Sequence, residues 1–326
     1  MKVDVHDRFE AIGPSAWNDV HAASRLRAPC SSYTWQREWT RAFAPGRRLE
    51  IRTVTTAGGR LAAILPLYEA EPSRLTLLGG TDVSDYLDLI AIAGHEADAW
   101  AALLESRAAT SAVWELHCVP EASPTLTALP GLARAAGLTV TAAVEERCPV
   151  LALPDSWDAY LHMLSSTDRH ELQRKTRRLE REAPDARMTC VRRPDEVQDR
   201  IGDFLDLHRR SRTGKAKFMD TRMEAFFRQT AELLAQANVI RLWFLDMASG
   251  PAASFICLEW DGTVGLYNSG FHPDRAALSP GLVLLAHVVR DTIERGKRRF
   301  DFLRGEERYK YEFGPTPESV YMVTIT

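Results

Sequence analysis

TVGLYNSGFHPDRAALSPGLVLLAHVVRDTIERGKRRFDFLRGEERYK, Thr263–Lys310, reads as strand, loop, helix, strand and polar turn. Residues 263–271 are rich in β-branched and aromatic side chains, which suit a pleated surface. His272, Pro273, Asp274 and Arg275 then make a loop. Ser279-Pro280-Gly281 opens a helix, with Ser279 as N-cap and Pro280 at the first helical position, where a missing N–H costs nothing. Leu282, Leu285, Ala286, Val289 and Ile293 recur with the 3.6-residue period of one helix face. Gly296 closes the helix, and Arg295, Lys297 and Arg298 sit near its negative end. A second strand over residues 300–303 runs into Arg304-Gly305. The unpaired N–H groups and positive dipole end of the helix start suit an anion such as a nucleotide pyrophosphate, and Gly281 lets a ligand approach the backbone. The competing reading is an ordinary capped helix packed on a sheet.

The 326 residues suffice for two domains, and 45% hydrophobic with 26% charged residues is a globular composition. A net charge of −3 gives no global signal for nucleic acid. The five cysteines, Cys30, Cys118, Cys148, Cys190 and Cys257, are scattered without Cys–x–x–Cys or Cys/His spacing. They read as reduced thiols in a cytoplasmic protein, with no metal site expected. The N-terminal MKVDVHDRFEAIG lacks the apolar region of a signal peptide, and no apolar run is long enough to span a membrane.

Outward from the opening stretch, residues 239–246 and 252–260 read as strands joined by a Gly250-Pro251 turn. Thr221 and Glu224 cap a helix, residues 209–217 form a basic loop, and a helix from Pro194 ends at His208 on its apolar face. A basic helix follows Asp168, with Asp168 and Glu171 as capping box. Its charges read either as a solvated face or as a contact for an anionic ligand. Upstream, residues 49–55 and 60–69 are strands, 75–80 and the run after Ser84-Asp85-Tyr86 are extended, 96–108 is a helix and 112–119 a strand. Trp35, Trp39 and Phe43 mark the core face of an earlier helix. Segments 138–144 and 149–153 read as two extended pieces, and 320–325 as a final strand. The order of elements over 49–119 repeats over 239–303. The chain therefore reads as two copies of one mixed α/β unit, in domains 1–153 and 154–326. The helix of the first copy starts at Glu96, which suits a helix dipole but repels a phosphate, so a single working anion site is expected in the second copy.

The matching stretches SDYLDL (84–89), the Arg-rich 170–181, RLWFLDMASGPAASFICLE (241–259), YNSGF (267–271), LSPG (278–281) and FDFLRGE (300–306) leading to Tyr309-Lys310 resemble the tandem Gcn5-related acetyltransferase (GNAT) proteins of the BioF2-like or CelD-like type, relatives of the FemABX peptidyltransferases. The resemblance spans nearly the whole chain. It implies an α/β (α+β) fold of two tandem GNAT-like domains, each a mixed, mostly antiparallel twisted sheet flanked by helices. The second would bind acetyl-CoA or another acyl-CoA as co-substrate. Ser269, Gly270 and Phe271 of a splayed strand would contact the donor, as would Ser279, Pro280, Gly281, Leu282 and Val283 at the helix start. LSPG is poorer in Gln, Arg and Gly than the usual GNAT phosphate loop, and Arg275 would supply the missing positive charge. The resemblance also puts Tyr86, Arg174 and Arg304 on the acceptor side. The acceptor would be a small molecule or saccharide.

Direct acyl transfer needs a base for the acceptor's proton, donors for the oxyanion and an acid for the thiolate. Asp301, on a strand otherwise made of Phe300, Phe302 and Leu303, is the first base candidate; its other reading is an edge carboxylate paired with Arg304 or Arg299. Glu306 or its neighbour Glu307 is a second candidate. Tyr309 would protonate the thiolate, and Lys310 would hold a negative group of the substrate. His208 is a further catalytic candidate, although a lone His on an apolar face is more often core. Two other readings stay open: an aminoacyltransferase using aminoacyl-tRNA, whose binding would weaken steeply with salt, and a catalytically inactive module that binds a nucleotide or sugar.

Overall fold

The computed structural model describes residues 1–107 and 112–326, which divide into unit 1, Met1–Arg147 with Glu318–Thr326, and unit 2, Cys148–Pro317. The division falls six residues before the expected 153/154 boundary, and it returns the last nine residues to unit 1.

Unit 1 contains β1 (Lys2–His6), α1 (Pro14–Ala22), α2 (Tyr33–Phe43), β2 (Leu49–Thr55), β3 (Leu61–Glu71), β4 (Arg74–Leu77), β5 (Ile90–Ala91), α3 (Glu96–Arg107), β6 (Val113–Pro120) and α4 (Pro124–Ala135). The sheet runs β1-β2-β3-β4-β6, and the chain's last strand, Thr316–Ile325, lies antiparallel to β6. Among the described residues of this unit only β4 and β6 pair in parallel, with α3 in the connection. β2 and β3 are buried on both faces, the pattern of interior strands, although β2 carries the buried Glu50 and Arg52. Trp35 and Trp39 of α2 are buried, as their spacing predicts. The expected extension of α3 to Ala108 lies outside the described residues.

Unit 2 begins within the long strand β7 (Val140–Ala152) and continues through α5 (Trp157–Met163), α6 (Ser166–Glu182), β8 (Arg187–Val191), α7 (Pro194–Ser211), α8 (Thr213–Phe218), α9 (Thr221–Gln236), β9 (Ile240–Met247), β10 (Gly250–Trp260), β11 (Thr263–Phe271), α10 (Pro280–Glu294), β12 (Arg299–Asp301) and α11 (Arg308–Tyr311). Its sheet order is β7-β12-β11-β10-β9-β8. Here too one pair is parallel, β11 with β12, and α10 makes the crossover. The β2-β3-β4-β5-α3-β6 and β9-β10-β11-α10-β12 series thus share the strand–helix–strand crossover that the sequence repeat implies. α10 is apolar nearly all round because it packs on β9–β11 on one side and α5 and α6 on the other.

Several local expectations change. Segments 138–144 and 149–153 are one strand, because the charged Glu145-Glu146-Arg147 run interrupts the apolar pattern without interrupting the backbone ladder. α6 starts earlier than Asp168: Ser165 is the N-cap, and its hydroxyl accepts from the Asp168 N–H. Asp220, not Thr221, caps α9. The supposed basic loop 209–217 is the end of α7 plus the short helix α8. β8 and α11 carry too short a pattern to be read beforehand.

A buried carboxylate sits in the core of unit 1. Asp88 accepts hydrogen bonds from the Leu89 N–H (2.8 Å), the Thr125 hydroxyl (2.6 Å) and the Ser123 hydroxyl. Burial nevertheless pushes its pKa up to about 6, with the charge of Glu96 adding to the effect. A group whose pKa is raised by folding contributes stability below its unfolded pKa and loses it as pH rises through the folded value. Measured against Asp88→Asn by urea denaturation, the wild type should therefore lose about 2 kcal/mol of relative stability between pH 4 and pH 7. A stability difference that stays constant over that range would contradict the assignment.

Candidate functional site

In unit 2 a cavity of about 270 Å³ opens where the end of β11 meets the start of α10. β11 supplies Ser269, Gly270 and Phe271, the α10 start supplies Ser279 to Leu282, and the α7–α8 junction supplies Ser211, Arg212 and Lys215. Phe255, Ala276, Glu307 and Tyr309 complete the wall. A β-bulge shapes the strand end: Ile256 pairs with Asn268 but Cys257 pairs with Leu266, leaving Tyr267 as the extra residue. The Tyr267 ring stacks on Phe227, with centroids 5.8 Å apart.

The start of α10 departs from the expected cap. Ser279 has φ 51° and ψ 45°, the left-handed region, and its hydroxyl makes no capping bond. The first acceptor it supplies is its carbonyl, to the Val283 N–H at 3.1 Å. The first-turn N–H groups of Gly281 and Leu282 thus have neither an intrahelical acceptor nor a side-chain cap, and they lie on the cavity wall. A Cβ at Gly281 would meet nothing within 4 Å, so the backbone is open to a ligand. Gly270 is different. A Cβ there would lie 2.5 Å from the His208 nitrogen and 2.6 Å from the Leu207 carbonyl carbon, so its missing side chain lets β11 cross α7 at close range.

The other end of the cavity is polar. Lys215 donates from its ammonium to the Ser269 carbonyl and, at 3.2 Å, to the Ser269 hydroxyl. Burial, then the charge of Arg212, lowers the Lys215 pKa to about 8; Glu307 opposes the shift. Tyr309 shares the cavity wall with Ser269, and burial with the nearby Glu307 charge holds its pKa well above the usual value. Burial raises the pKa of Glu307, but the charge and hydrogen bond of Lys310 and the charge of Lys215 outweigh it, so the carboxylate is held below its usual range. The Arg212 guanidinium makes no hydrogen bond or ion pair among the described residues.

Lys310 is buried, and its ammonium reaches the Arg304 carbonyl at 2.8 Å, the Gly305 carbonyl at 3.0 Å and the Glu307 carboxylate at 2.9 Å. Its donors are thus committed within the chain, and it fixes the loop that carries Glu307 and Tyr309 instead of facing a ligand. Asp301 is also buried and outside the cavity wall; one oxygen accepts from the Leu303 N–H at 2.8 Å and the other faces Arg299 at 3.8 Å. Glu306 is exposed and accepts from the Tyr311 hydroxyl at 3.1 Å. His208 is buried behind β11, its pKa lowered to about 3 by burial and then by the charge of Lys215, so it is neutral. Val283 is buried, and Arg275 bonds the Ser249 hydroxyl at 2.6 Å on the surface, both off this wall. Arg304 contributes its backbone carbonyl to the Lys310 clamp. Tyr86 is buried in unit 1, where its carbonyl accepts from the Cys30 thiol.

Arg174 pairs with Glu171 at 2.7 Å. Its neighbours are matched too: Lys175 with Glu171 and Glu312, Arg178 and Arg181 with Glu182. Lys215 and Arg212 are not singled out by the sequence because their segment reads as a basic loop with only a general hint of an anionic ligand; Ser269 across the cavity gives Lys215 its partner. No group of His, Cys, Asp and Glu side chains among the described residues could hold a metal ion, and no helix among them is long and apolar enough to cross a membrane.

Residues 166–311 match the family model described as the Acetyltransferase (GNAT) domain. Unit 2 carries a GNAT domain. The GNAT match spans every residue of the cavity wall. Among solved structures the chain resembles FemX, with a TM-score of 0.64 and 10% identity over 99% of this chain and 97% of that one. It also resembles a conserved protein of unknown function from Bacteroides thetaiotaomicron, with a TM-score of 0.62 and 12% identity over the full length of both chains. The C-terminal domain of a putative lysylphosphatidylglycerol synthetase from Agrobacterium fabrum gives a TM-score of 0.60 and 12% identity over 95% of this chain and 90% of that one. At these identities the likeness is one of fold. No curated protein matches the sequence.

The two wall glycines separate packing from ligand access. Gly270→Ala should cost about 1–3 kcal/mol, because backbone must move to admit the methyl group. Gly281→Ala should leave the denaturation midpoint nearly unchanged. Equal stability of the two variants would refute the close β11–α7 crossing.

Proposed function

We propose that unit 2 is an acyl-CoA-dependent acyltransferase that moves an acyl group, acetyl in the first instance, directly onto an amine or hydroxyl of a small-molecule, sugar or polysaccharide-precursor acceptor. The observation that carries this reading is a single cavity joining the uncapped start of α10 to Glu307, Ser269 and Tyr309. GNAT folds bind acyl-CoA in general, and the residues here fit such a donor. The free N–H groups of Gly281 and Leu282 at a positive helix end would take its phosphates, with the Arg212 guanidinium nearby as counter-charge.

Glu307, held ionised by Lys310, is the base that takes the acceptor's proton. Tyr309, held protonated by burial, gives its proton to the departing thiolate. Lys310 positions both by tying the loop before them. Asp301, the leading base candidate in the sequence, instead fixes the Leu303 N–H. In unit 1 the equivalent helix start carries the acidic Glu96, which accepts the Gly94 N–H just before the helix at 2.7 Å and pairs with Arg25 at 2.8 Å; a carboxylate there repels phosphate, so unit 1 is assigned no donor.

An aminoacyl-tRNA donor, in the manner of the FemABX relatives, is the second reading. FemX shares the fold. Four cations of the basic helix that would favour it, Arg174, Lys175, Arg178 and Arg181, are matched by Glu171, Glu182 and Glu312, which weakens the case.

Thermal-shift titration decides between them. Acetyl-CoA or a longer acyl-CoA should stabilise the protein by RT ln(1 + [L]/Kd), about 2.7 kcal/mol at a hundred times Kd. Gly281→Asp should abolish that shift while leaving the unliganded midpoint within a few degrees of wild type. The absence of a shift with any CoA species would sink the reading; salt-sensitive binding of tRNA in its place would support the second.

A further inference from the structure

Lys215 is not accounted for by donor binding or by base and acid chemistry, yet it is built into the same wall. Its ammonium touches both the carbonyl and the hydroxyl of Ser269, and Ser269 shares the cavity wall with Tyr309. The three side chains lead along one wall from the cavity tyrosine to a half-enclosed amine. We infer that Lys215 and Ser269 form a proton relay that reprotonates Tyr309 after each transfer, an inference that rests on the acyltransferase reading above.

The steps balance. As the thioester C–S bond breaks, the thiolate takes the Tyr309 O–H proton and leaves a phenolate. The phenolate takes the proton of the Ser269 hydroxyl, and the Ser269 oxygen takes one N–H proton of the Lys215 ammonium. Lys215 is then a neutral amine, which recovers a proton from solvent. The proton removed from the acceptor sits on Glu307 and leaves to solvent, so no proton is gained or lost overall.

The surroundings suit an amine that must both hold and release a proton. Arg212 from the α7–α8 junction and Lys310 from α11 press the ammonium toward release, while Glu307 favours its charge. His208, on the α7 face behind, is neutral. With a pKa of about 8, Lys215 holds its proton at neutral pH and parts with it far more readily than a surface lysine near 10.4. An arginine in its place would keep the charge but hold the proton, since a guanidinium does not release it in proteins. That difference separates a relay from a simple electrostatic role.

Two measurements test the inference. First, ¹³C-lysine NMR without any ligand should show Lys215 titrating near pH 8, and Ser269→Ala should shift that titration. A Lys215 resonance that titrates near 10.4, or one untouched by Ser269→Ala, overturns the Lys215–Ser269 link and the relay with it. Second, thiol release from acetyl-CoA, with water as acceptor, should fall as pH rises through about 8 in the wild type. Both Ser269→Ala and Lys215→Arg should slow release at pH 7 by about ten-fold or more while the acetyl-CoA thermal shift survives. A Lys215→Arg variant working at the wild-type rate overturns the relay. If the wild type shows no thermal shift with acetyl-CoA, the acyltransferase reading fails by itself, and the NMR titration still decides whether the Lys215–Ser269 link exists.

Discussion

The buried ammonium of Lys310 is the constraint on which the second unit's chemistry depends. The parallel strand β12 ends at Asp301, and the chain must turn at once to bring Glu307 and Tyr309 over the mouth of the cavity. Leu303 does so at φ 55° and Gly305 at φ 106°, backbone shapes that leave carbonyls turned inward without sheet partners. Lys310 supplies the donors for those carbonyls from a position only a turn of helix away. The space is tight: a Cβ on Gly305 would lie 2.7 Å from a Glu307 oxygen and 3.3 Å from the Lys310 nitrogen. A charge buried in this way is costly unless every donor is used, and here the Glu307 carboxylate completes the set. The same contact leaves Glu307 ionised at the cavity edge, so one ion pair both shapes the loop and sets the charge of the base.

The two units show how one supersecondary frame can carry opposite electrostatics. Each joins a pair of parallel strands through a helix whose start faces a cavity. In unit 1 that cavity, about 130 Å³, is lined by Asp88, Glu96 and Arg25, and a carboxylate stands at the helix start, bonded to the Gly94 N–H just before it. In unit 2 the cavity wall holds Gly281, Arg212 and Lys215, and the N–H groups stay open. The crossover is a matter of strand pairing; the character of the helix start is a matter of two or three side chains.

Much of this was legible in the sequence where a regular period carried the signal. The alternation of β11, the apolar period of α10 and the Gly296 stop fixed the opening stretch because packing and propensity agree there. The Ser279-Pro280-Gly281 start was visible too, but the left-handed backbone of Ser279 was not, since a serine before a proline looks the same capped or uncapped. Asp301 was rightly read as a carboxylate among apolar neighbours; its destination, the Leu303 N–H, depends on a turn that no local pattern announces. Lys215 was least legible. It lies in a run of Arg and Lys that resembles a solvated face, and what buries it comes from residues more than fifty positions downstream.

The strand Thr316–Ile325 completes the sheet of unit 1 beside β6, although nearly all of unit 1 precedes unit 2 in the chain. A ribosome therefore delivers the first unit without its closing strand and then makes the whole of the second before that strand appears. Through that interval β6 has an open ladder on one side, the kind of edge that pairs with whatever strand is near. The N-terminal unit, begun before the second, is closed after it, by a strand that follows the whole of unit 2.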